Sequence, residues 1–264
     1  MSSLRTLFDL SGRVALVTGA CGHLGRVICE TLAEQGAGIV ALDRHGTQAF
    51  ADELSQRGVT AMGLDVDLAD EQAVRAVPAL IEQRMGGLAV LVNNAAFVGT
   101  SGLQGWVAPF MAQSADTWRL AMEVNLTSAF VLSQACTPLL KASGHGSIVN
   151  VASLYGHLGP DWSLYEGTAM GNPAAYAASK GGLIQMSRWL ATTLGPDIRV
   201  NAISPGGIAR GQPDAFRHRY EARTPLRRMG CEDDFKGIIA LLCSDASAYV
   251  TGQNIAVDGG WSAW

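Results

Sequence analysis

Short runs of apolar, often β-branched residues alternate along the chain with longer stretches whose apolar residues recur at helical spacing. Such runs indicate buried strands, and the stretches between them indicate amphipathic helices. The pattern predicts strands at 13–18, 39–42, 59–64, 88–92, 147–152, 198–203 and 254–257. It predicts helices at 26–35, 46–57, 70–85, 115–141, 173–194 and 231–243. This alternation is typical of a doubly wound parallel sheet with helices on both faces, so we expect an α/β fold.

Length, charge and cysteine content narrow the class of protein. The 264 residues suit one domain, 1–264, because α/β units of this size bury a single core. A formal net charge of -4 without a basic run gives no reason to expect a nucleic-acid partner. Five widely spaced cysteines suit free thiols in a reducing compartment, and the histidines show no metal-ligand spacing. With no signal-peptide pattern and no membrane-length apolar stretch, we expect a cytoplasmic protein without a metal site or a membrane partner.

The first predicted strand leads into a glycine-containing turn, and the second ends at an aspartate. The order is strand, turn 19–25, helix, strand and Asp43, which is the fingerprint of a Rossmann-type dinucleotide-binding unit. Glycines in such a turn let the backbone approach a pyrophosphate at the helix N-terminus. The Asp43 carboxylate can accept bonds from the adenosine ribose, and an ordinary turn residue is the alternative. Because a carboxylate there repels the 2′-phosphate of NADP, we expect NAD, although the adjacent Arg44 offsets some repulsion.

A candidate acid/base pair lies in the helix at 173–194. Tyr176 and Lys180 are four positions apart, so their side chains project from the same helix face. A neighbouring ammonium favours the phenolate and should lower the pKa of Tyr176 towards neutrality. Ser153, at the end of the fifth strand, offers a hydroxyl that can hold a carbonyl or alcohol oxygen. A tyrosine–lysine pair alone also occurs by chance on amphipathic helices, so its weight comes from the rest of the chain.

Taken together, these pieces resemble the short-chain dehydrogenase/reductase superfamily over about residues 10–260, and they occur in the order typical of that family. The matching positions are the cofactor loop Thr18-Gly-Ala-Cys-Gly-His-Leu-Gly25, Asp65-Val66, the stretch Asn93-Asn-Ala-Ala96, Asn125, Ser153, Tyr176, Lys180 and the turn Pro205-Gly206. The resemblance implies a nicotinamide-dependent enzyme that transfers a hydride between cofactor and carbinol carbon. It also implies a homodimer or homotetramer, with helices 115–141 and 173–194 paired across a twofold axis.

The resemblance also implies roles for individual residues. Tyr176 would be the general acid/base, Lys180 would lower its pKa and bind the nicotinamide ribose, and Ser153 would orient the substrate oxygen. Asn125 would hold a water that links Lys180 to solvent. The implied cofactor-binding residues are Gly19, Cys21, His23, Leu24, Gly25, Asp43, Arg44, Asp65, Val66, Asn93, Ala95, Tyr176, Lys180, Pro205, Gly206 and Ile208.

Three positions depart from the family pattern. His23 stands where the family usually has its middle loop glycine, and we expect Gly22 to supply the missing flexibility. Ala96 replaces the last glycine of its motif, which is a mild change. The gap from Ser153 to Tyr176 is 23 positions, longer than is usual for the family. The surplus, 156–175, is either a neutral surface insertion or a wall of the substrate pocket, and its place beside Ser153 favours the wall.

The substrate side of the predicted site consists of this wall and a lid at 207–229. Its substrate candidates are Ser153, Tyr155, Trp162, Tyr165, Tyr176 and Arg217, with Asp161, Glu166, Thr168 and Asn172 as further polar groups. Arg217, Arg219 and Arg223 of the lid could hold an anionic tail such as a phosphate. The wall resembles a family branch associated with sugars of bacterial surface glycans and flagellin modification. We therefore expect an NAD-dependent oxidoreductase for the secondary alcohol or ketone of a polar, sugar-like small molecule. A non-sugar hydroxy or keto substrate, and a non-catalytic dinucleotide-binding sensor or scaffold, are the alternatives.

Overall fold

In residues 2–99 and 101–264, which the computed structural model describes, seven strands form one parallel sheet in the order β3-β2-β1-β4-β5-β6-β7. The strands are β1 Val14–Thr18, β2 Gly38–Asp43, β3 Ala61–Asp65, β4 Val90–Asn93, β5 Gly146–Val151, β6 Ile198–Pro205 and β7 Asn254–Val257. Every predicted strand is present, with ends displaced by at most two residues. The predicted α/β architecture of the Rossmann type is confirmed.

The helices that connect these strands largely follow the predicted pattern. They are α1 Leu4–Phe8, α2 His23–Glu34, α3 Thr47–Gln56, α4 Glu71–Met85, α5 Ala115–Met122, α6 Ser128–Ala142, α7 Ala174–Leu194, α8 Asp214–Arg223 and α9 Lys236–Cys243. The pattern did not predict α1, which is too short to show a period, or α8, whose buried side chains are Phe216 and Tyr220. Within the described residues, none of the helices combines the length and apolarity needed to cross a bilayer.

Two apolar layers, one on each face of the sheet, fix how the strands are oriented. Successive strand residues point to opposite faces, so Ala15 and Val17 of β1 join one layer and Leu16 joins the other. The first layer packs against α2, α3 and α9, and the second against α4, α6 and α7. Each fully buried Leu, Ile or Phe contributes about 1.5–3 kcal/mol relative to exposure. A one-residue slip of any inner strand would exchange its two sets of side chains and is therefore excluded.

The chain reverses its direction across the sheet between β1 and β4. From β1 it proceeds outward through β2 and β3, and it then returns to lay β4 along the other side of β1. Ligands of open parallel sheets bind in the crevice beyond the carboxyl ends of the strands at such a reversal. The predicted glycine turn follows β1 and the two asparagines end β4, so both lie at this crevice.

The predicted long helix 115–141 is interrupted by one wider turn. Glu123–Thr127 is a π-helical turn between α5 and α6, in which the Ser128 N–H donates to the Glu123 carbonyl. Such turns occur inside α-helices frequently at functional sites. Asn125 lies within this turn, which explains how a poor helix former is accommodated in mid-helix.

Candidate active site

Two glycines that approach each other set the turn between β1 and α2. Gly19 has a φ of +64°, which favours glycine, and its carbonyl oxygen lies against Gly25. A Cβ added to Gly25 would stand 1.9 Å from that oxygen, so no side chain fits unless the backbone moves. The unpaired N–H groups of the first turn of α2 begin immediately beside this contact. The residues present therefore fit a dinucleotide pyrophosphate at the N-terminus of α2.

The unusual His23 is accommodated as the first residue of α2, with its side chain exposed. The expectation that Gly22 supplies the flexibility of a missing glycine is wrong. Gly22 precedes the helix with a φ of −74°, a value that any residue adopts. Leu24 packs against the core, and burial raises the pKa of the half-buried Cys21 thiol. The turn thus keeps its two essential glycines and leaves the imidazole in solvent.

Asp43, at the end of β2, reaches the glycine turn. One carboxylate oxygen accepts a hydrogen bond from the backbone N–H of Cys21 at 3.0 Å, and the other accepts from the N–H of Arg44 at 2.7 Å. The Arg44 side chain itself is exposed. The carboxylate therefore lies at the end of the crevice where we expect the adenosine ribose to bind. Because it also bonds backbone N–H groups of the turn, it combines the ribose-binding position with the ordinary turn role that the sequence left as an alternative.

Asp65, one of the implied cofactor-binding residues, has a structural role. Its Oδ1 accepts hydrogen bonds from the backbone N–H and the hydroxyl of Thr47, at 3.1 and 2.7 Å. These bonds hold the pKa of the Asp65 carboxyl below its usual range, the hydroxyl being the largest cause. Asp65 thereby anchors the first residue of α3 to the end of β3. The backbone N–H of Val66 in turn donates to the Asp43 carbonyl at 2.8 Å, which joins the ends of β2 and β3.

Asn94 holds the glycine turn in place. Its amide nitrogen donates to the carbonyl oxygens of Thr18 and Gly19, at 2.9 and 3.2 Å. The Thr18 hydroxyl accepts from the backbone N–H groups of Asn94 and Ala95, both at 3.0 Å. The Ala95 backbone lies close to the turn, because a Cβ on Gly19 would stand only 2.9 Å from the Ala95 Cα. The ends of β1 and β4 are therefore locked together through backbone groups.

The Asn93 side chain, in contrast, points into the protein. It is buried and donates to the Asn150 carboxamide oxygen at 2.8 Å and to the Ser133 hydroxyl at 3.3 Å. The predicted cofactor contact at Asn93 therefore cannot come from its side chain. Residues that succeed each other in a strand point to opposite faces, so only one of two adjacent asparagines can serve the turn.

Ser153, Tyr176 and Lys180 are brought together where β5 ends and α7 begins. Ser153 follows β5, with its buried hydroxyl accepting a hydrogen bond from the Tyr155 N–H at 3.2 Å. The Lys180 ammonium is 2% exposed, donates to the Val151 carbonyl at 2.6 Å and lies 5.8 Å from the centre of the Tyr176 ring. Helical spacing on α7 and the end of β5 thus produce the predicted cluster.

The protonation states of this cluster differ from the sequence expectation. Burial raises the pKa of Tyr176, and hydrogen bonding to Ser153 and the positive charge of Arg210 oppose that rise. Burial also lowers the pKa of Lys180 to about 7. The expected lowering of the tyrosine pKa by a fully charged lysine is therefore not present here, because the cleft removes water from both groups. Near neutral pH the Lys180 amine is therefore protonated in only part of the molecules, whereas the Tyr176 phenol stays protonated.

Asn125 braces the beginning of α7 from the π-helical turn. Its carboxamide oxygen accepts from the backbone N–H of Phe97 at 2.7 Å, and its amide nitrogen donates to the Ser179 hydroxyl at 3.1 Å. Ser179 in turn donates to the Tyr176 carbonyl at 2.9 Å. Both polar atoms of the Asn125 side chain are thus engaged in contacts within the protein.

The predicted proline–glycine turn at the end of β6 is held by a phenol that the sequence did not single out. The Tyr220 Oη of α8 accepts a hydrogen bond from the Gly207 N–H at 2.6 Å. A Cβ on Gly206 would lie 2.8 Å from the Asp258 Cα, so this turn also depends on the absence of a side chain. Pro205 closes β6, and Ile208 pairs with Gly230 in an isolated bridge.

The predicted wall 156–175 and α8 pack against each other through aromatic rings. The ring centres of Tyr165 and Phe216 are 5.4 Å apart. Those of Phe216 and Tyr220 are 6.0 Å apart, and those of Tyr220 and Trp261 are also 6.0 Å apart. The phenol oxygens of Tyr155 and Tyr165 are 2.7 Å apart. Burial is the largest cause that raises the pKa of both these tyrosines, so both stay neutral. We call the unit formed by 156–175 and α8 the roof.

Two arginines that were predicted to hold an anionic tail are instead used to build the roof. Arg219 donates to the Glu166 carbonyl at 2.6 Å, and Arg223 pairs with Asp161 at 2.8 Å. Arg217 pairs with Asp214 of its own helix and is exposed. Of the predicted aromatic contacts to substrate, Trp162 is 58% exposed and lies 5.7 Å from the Tyr165 ring.

Known proteins are similar to this chain in sequence and in fold over nearly its whole length. A family model described as Enoyl-(Acyl carrier protein) reductase matches residues 19–262. Nodulation protein G of Rhizobium meliloti (strain 1021) is 36% identical over 266 residues, covering 96% of this chain and 98% of that protein. The chain is a member of the short-chain dehydrogenase/reductase superfamily.

Two solved structures show the same fold with dinucleotides bound. A gluconate 5-dehydrogenase from Burkholderia cenocepacia J2315, in complex with NADP and tartrate, superposes with a TM-score of 0.88 at 31% identity, over 99% of this chain and 100% of that one. A short chain dehydrogenase from Leptospira borgpetersenii, with bound NAD⁺, gives a TM-score of 0.85 at 29% identity, over 99% and 96%.

These findings make the chain an oxidoreductase of alcohol and keto groups, so the sensor or scaffold alternative is set aside. As a short-chain dehydrogenase/reductase it binds a nicotinamide dinucleotide and a small-molecule substrate. In the part of the chain that the structure describes, no group of three or more His, Cys, Asp or Glu side chains is placed to hold a metal ion.

Three residues of this dehydrogenase/reductase site were given no role by the sequence analysis, although Asn94 lies within the matching stretch Asn93-Asn-Ala-Ala96. Asn94 could have been identified from the alternation of side chains along β4. Tyr220 had a weaker signal, because Phe216 and Tyr220 form an apolar i,i+4 pair in an otherwise polar stretch. Arg210 had none, since nothing in the order of residues places it near Tyr176.

Proposed function

We propose that this enzyme uses NAD to interconvert the secondary alcohol and ketone of a polar, sugar-like substrate. The observation that carries the proposal is a crevice with the Asp43 carboxylate at one end and Tyr176 with Ser153 at the other. The direct test is absorbance of NADH when purified enzyme and NAD are mixed with polyols, sugars and sugar acids. Activity restricted to lipophilic alcohols and ketones would decide for the non-sugar alternative.

The chain's residues would divide the reaction as follows. A bound nicotinamide dinucleotide supplies the hydride acceptor or donor. The N-terminus of α2 holds the pyrophosphate, and Asp43 holds the adenosine ribose. Ser153 holds the substrate oxygen. The Tyr176 phenol gives a proton to that oxygen when a ketone is reduced, and when an alcohol is oxidised it must first lose its own proton so that the phenolate can take one. Lys180, with a pKa of about 7, can both release and take up a proton near neutral pH, and it thereby helps to restore the proton of the Tyr176 phenol.

The choice of NAD rests on Asp43. Its carboxylate carries a negative charge where NADP would place a second one, and like charges at contact distance repel each other. Arg44 is exposed and bonded to Asp43 only through its backbone, so it offsets little of this repulsion. We expect kcat/KM to be at least about tenfold higher with NAD, which corresponds to roughly 1.4 kcal/mol. The variant Asp43→Ser should narrow that ratio, and a wild-type preference for NADP would refute the assignment.

The sugar-like substrate is supported by a buried donor in the wall. Asn172 is 8% exposed, and among the described residues its amide nitrogen has no hydrogen-bond partner. A buried donor of this kind is costly unless a ligand or water completes it, and a hydroxyl-rich substrate provides acceptors. The similarity to the gluconate 5-dehydrogenase supports the same class. We expect Asn172→Ala to raise KM for a polyol several-fold and Asp161→Asn to change it little, because Asp161 already pairs with Arg223.

We also propose that the enzyme is a homodimer or homotetramer. The long helices α5, α6 and α7 expose Trp118, Phe130 and Trp189 by 40, 41 and 58%. Large apolar side chains on helices whose other face packs on the sheet are suited to a second copy of the chain. Light scattering at micromolar concentration should give a multiple of the 27.7 kDa chain mass, and Trp189→Glu should reduce it. A monomeric wild type would contradict the proposal.

A cytoplasmic location is the remaining part of the proposal. All five cysteines are free thiols, and burial raises the pKa of Cys29, Cys136 and Cys243. Unreactive free thiols suit a reducing compartment. Fractionation of the source cells with an antibody to the protein would test this location.

A further inference from the structure

Arg210 occupies a fixed position at the edge of the active site. It follows the Pro205–Gly207 turn at the carboxyl end of β6, on the same sheet edge as Ser153. Its backbone N–H donates to the Gln212 side chain at 2.7 Å, and that side chain donates back to the Ile208 carbonyl at 2.7 Å. These bonds close the loop on itself, so the position from which the Arg210 side chain extends is defined.

The guanidinium of Arg210 is held along one edge only. Its Nε donates to the Glu232 carboxylate at 2.9 Å. Among residues 2–99 and 101–264, neither of its terminal amino groups has a hydrogen-bond partner. The pair is partly shielded, with side-chain exposures of 36% for Arg210 and 24% for Glu232. Glu232 therefore orients the guanidinium while the paired N–H donors of the opposite edge stay free.

Neighbouring arginines do not share this arrangement. Arg219 and Arg223 use terminal amino groups on the wall, and Arg228 binds both oxygens of Asp234, at 2.6 and 2.7 Å. Arg217 pairs with Asp214 through a terminal nitrogen. Each of these four already uses at least one terminal nitrogen of its guanidinium, which belongs to the edge that recognises carboxylates and phosphates in a two-pronged manner. Arg210 does not.

The charge of Arg210 acts on the reacting centre. Burial raises the pKa of Tyr176, and the positive charge of Arg210 is among the causes that oppose this rise. Strands β5 and β6 are neighbours, with Val151 opposite Ile203, so the loop that carries Arg210 leaves the sheet beside the segment that carries Ser153. The pyrophosphate, by contrast, has its own donors at the N-terminus of α2, on the β1 side of the crevice.

We propose that Arg210 binds an oxyanion carried by the substrate, so that the substrate is an anionic alcohol such as a hydroxy acid or sugar acid. The inference rests on the proposed dehydrogenase function and narrows its substrate class. The free edge of the guanidinium would receive the carboxylate, with Ser153 and Tyr176 at the hydroxyl that reacts. Glu232 keeps the guanidinium from turning away when the site is empty.

Matched pairs of acid and alcohol test this proposal. Glycerate and glycerol, tartrate and threitol, and gluconate and sorbitol differ in whether they carry a carboxylate or a neutral alcohol. Binding of each to the enzyme–NAD complex is measured by calorimetry for the wild type, Arg210→Gln and Arg210→Lys. Arg57→Gln serves as a matched control, because Arg57 forms an arginine–glutamate pair with Glu30 outside the crevice.

We expect the wild type to bind at least one acid more tightly than its alcohol. Arg210→Gln should weaken that acid about tenfold to a hundredfold and leave the alcohol within about twofold, as for loss of a charge-assisted hydrogen-bonded pair. Arg210→Lys should be intermediate, since it keeps the charge without the fork. Arg57→Gln should match the wild type.

Three results would overturn the proposal. They are a wild type that prefers no acid over its alcohol, an equal loss for acid and alcohol in Arg210→Gln, and a loss of NAD affinity with an unchanged acid-to-alcohol ratio. The last result would assign the guanidinium to the cofactor pyrophosphate. A wild type that binds acids through Arg210 but oxidises no member of the panel with NAD would keep the anion site and refute the proposed reaction instead.

Discussion

The two ends of the crevice are built in different ways. At the cofactor end, the contacts are made to the backbone of the turn: Gly25 lies on the carbonyl of Gly19, and the Asn94 side chain donates to the same carbonyl. At the substrate end, side chain meets side chain, through the aromatic rings of the roof and the pair of Arg223 with Asp161. A backbone contact has no room for adjustment, whereas a cluster of side chains can repack with modest loss.

This difference suits what each end has to recognise. The pyrophosphate of a nicotinamide dinucleotide is the same in every enzyme that binds one, so a rigid backbone surface that binds the pyrophosphate serves all of them. Substrates vary from enzyme to enzyme, and side chains on connecting segments vary without disturbing the sheet. We therefore expect substitutions in the glycine turn at the cofactor end to cause large losses of stability and NAD affinity. Substitutions at the substrate end should change stability and KM only gradually.

The largest effect is expected where the two ends meet. Tyr176→Phe removes the proton carrier and little binding surface, so we expect kcat to fall by about a thousandfold or more. Affinities for NAD and for substrate should stay within a few-fold of the wild type, as measured by calorimetry. Lys180→Ala should impair turnover and NAD binding together. Near wild-type turnover by the phenylalanine variant would contradict the assignment of Tyr176.

Gly25→Ala tests the rigidity of the cofactor end. The added methyl group would stand 1.9 Å from the Gly19 oxygen, so the turn must move. We expect a loss of about 3 kcal/mol in the free energy of unfolding, together with a large loss of NAD affinity. Gly237→Ala in α9 is the matched control, because no atom lies within 4 Å of its new methyl group. That control should gain about 0.5–1 kcal/mol from helix propensity.

Lys180→Met tests the energetic cost of the charge buried between the two ends. Because the folded-state pKa of Lys180, about 7, lies below its ordinary value, the unfolded chain binds more protons between about pH 7 and pH 10. The burial penalty is therefore full below pH 7 and fades as the pH rises to 10. We expect the inactive variant to be more stable by about 2 kcal/mol at neutral pH, allowing for the lost bond to Val151.

Denaturant unfolding across this pH range measures the gain. It should shrink as the pH rises towards the ordinary lysine pKa of 10.5, above which the wild-type lysine is neutral in both states. Lys141→Met, which removes a half-exposed partner of Asp197, should show no such pH-dependent gain. A variant less stable than the wild type at every pH would show that Lys180 is not destabilising.

The smallest effect is expected at the substrate end. Arg223→Gln breaks a partly exposed pair with Asp161 and a contact 4.5 Å above the Trp261 ring. Such pairs are worth less than about 1 kcal/mol, so we expect a stability loss of about 0.5 kcal/mol. KM for the substrate should change little, as for Asp161→Asn, while NAD affinity stays unchanged. A loss as large as that of Gly25→Ala would remove the distinction between the two ends.

The sequence predicted the cofactor end well because its information is local. A β-branched strand, a glycine turn and an aspartate lie within residues 13–43, and each carries its own conformational preference. The order of the motifs was also sufficient to bring Ser153, Tyr176 and Lys180 into one cluster. Asn93 and Asn94 were confused because the prediction did not follow the alternation of side chains to the end of β4.

The roof could not be predicted because its contacts join distant segments. Arg223 and Asp161 are 62 positions apart, and neither residue has a local feature that identifies its partner. The helix α8 was missed for the same reason, since the rings that bury Phe216 and Tyr220 come from elsewhere in the chain. The pKa of Lys180 likewise depends on the water excluded by the assembled cleft, which no spacing of residues records.

The hydrogen bond from the Gly207 N–H to the Tyr220 phenol has a consequence for the order in which ligands act. It joins the implied cofactor-binding turn at Pro205–Gly207 to the roof, so that a movement of one must displace the other. A cofactor that shifts the turn must then change the affinity for substrate, and thermodynamic reciprocity requires the substrate to change the affinity for cofactor by the same factor. Removing one hydroxyl, as in Tyr220→Phe, should bring that coupling factor closer to unity while leaving the ring in its stack.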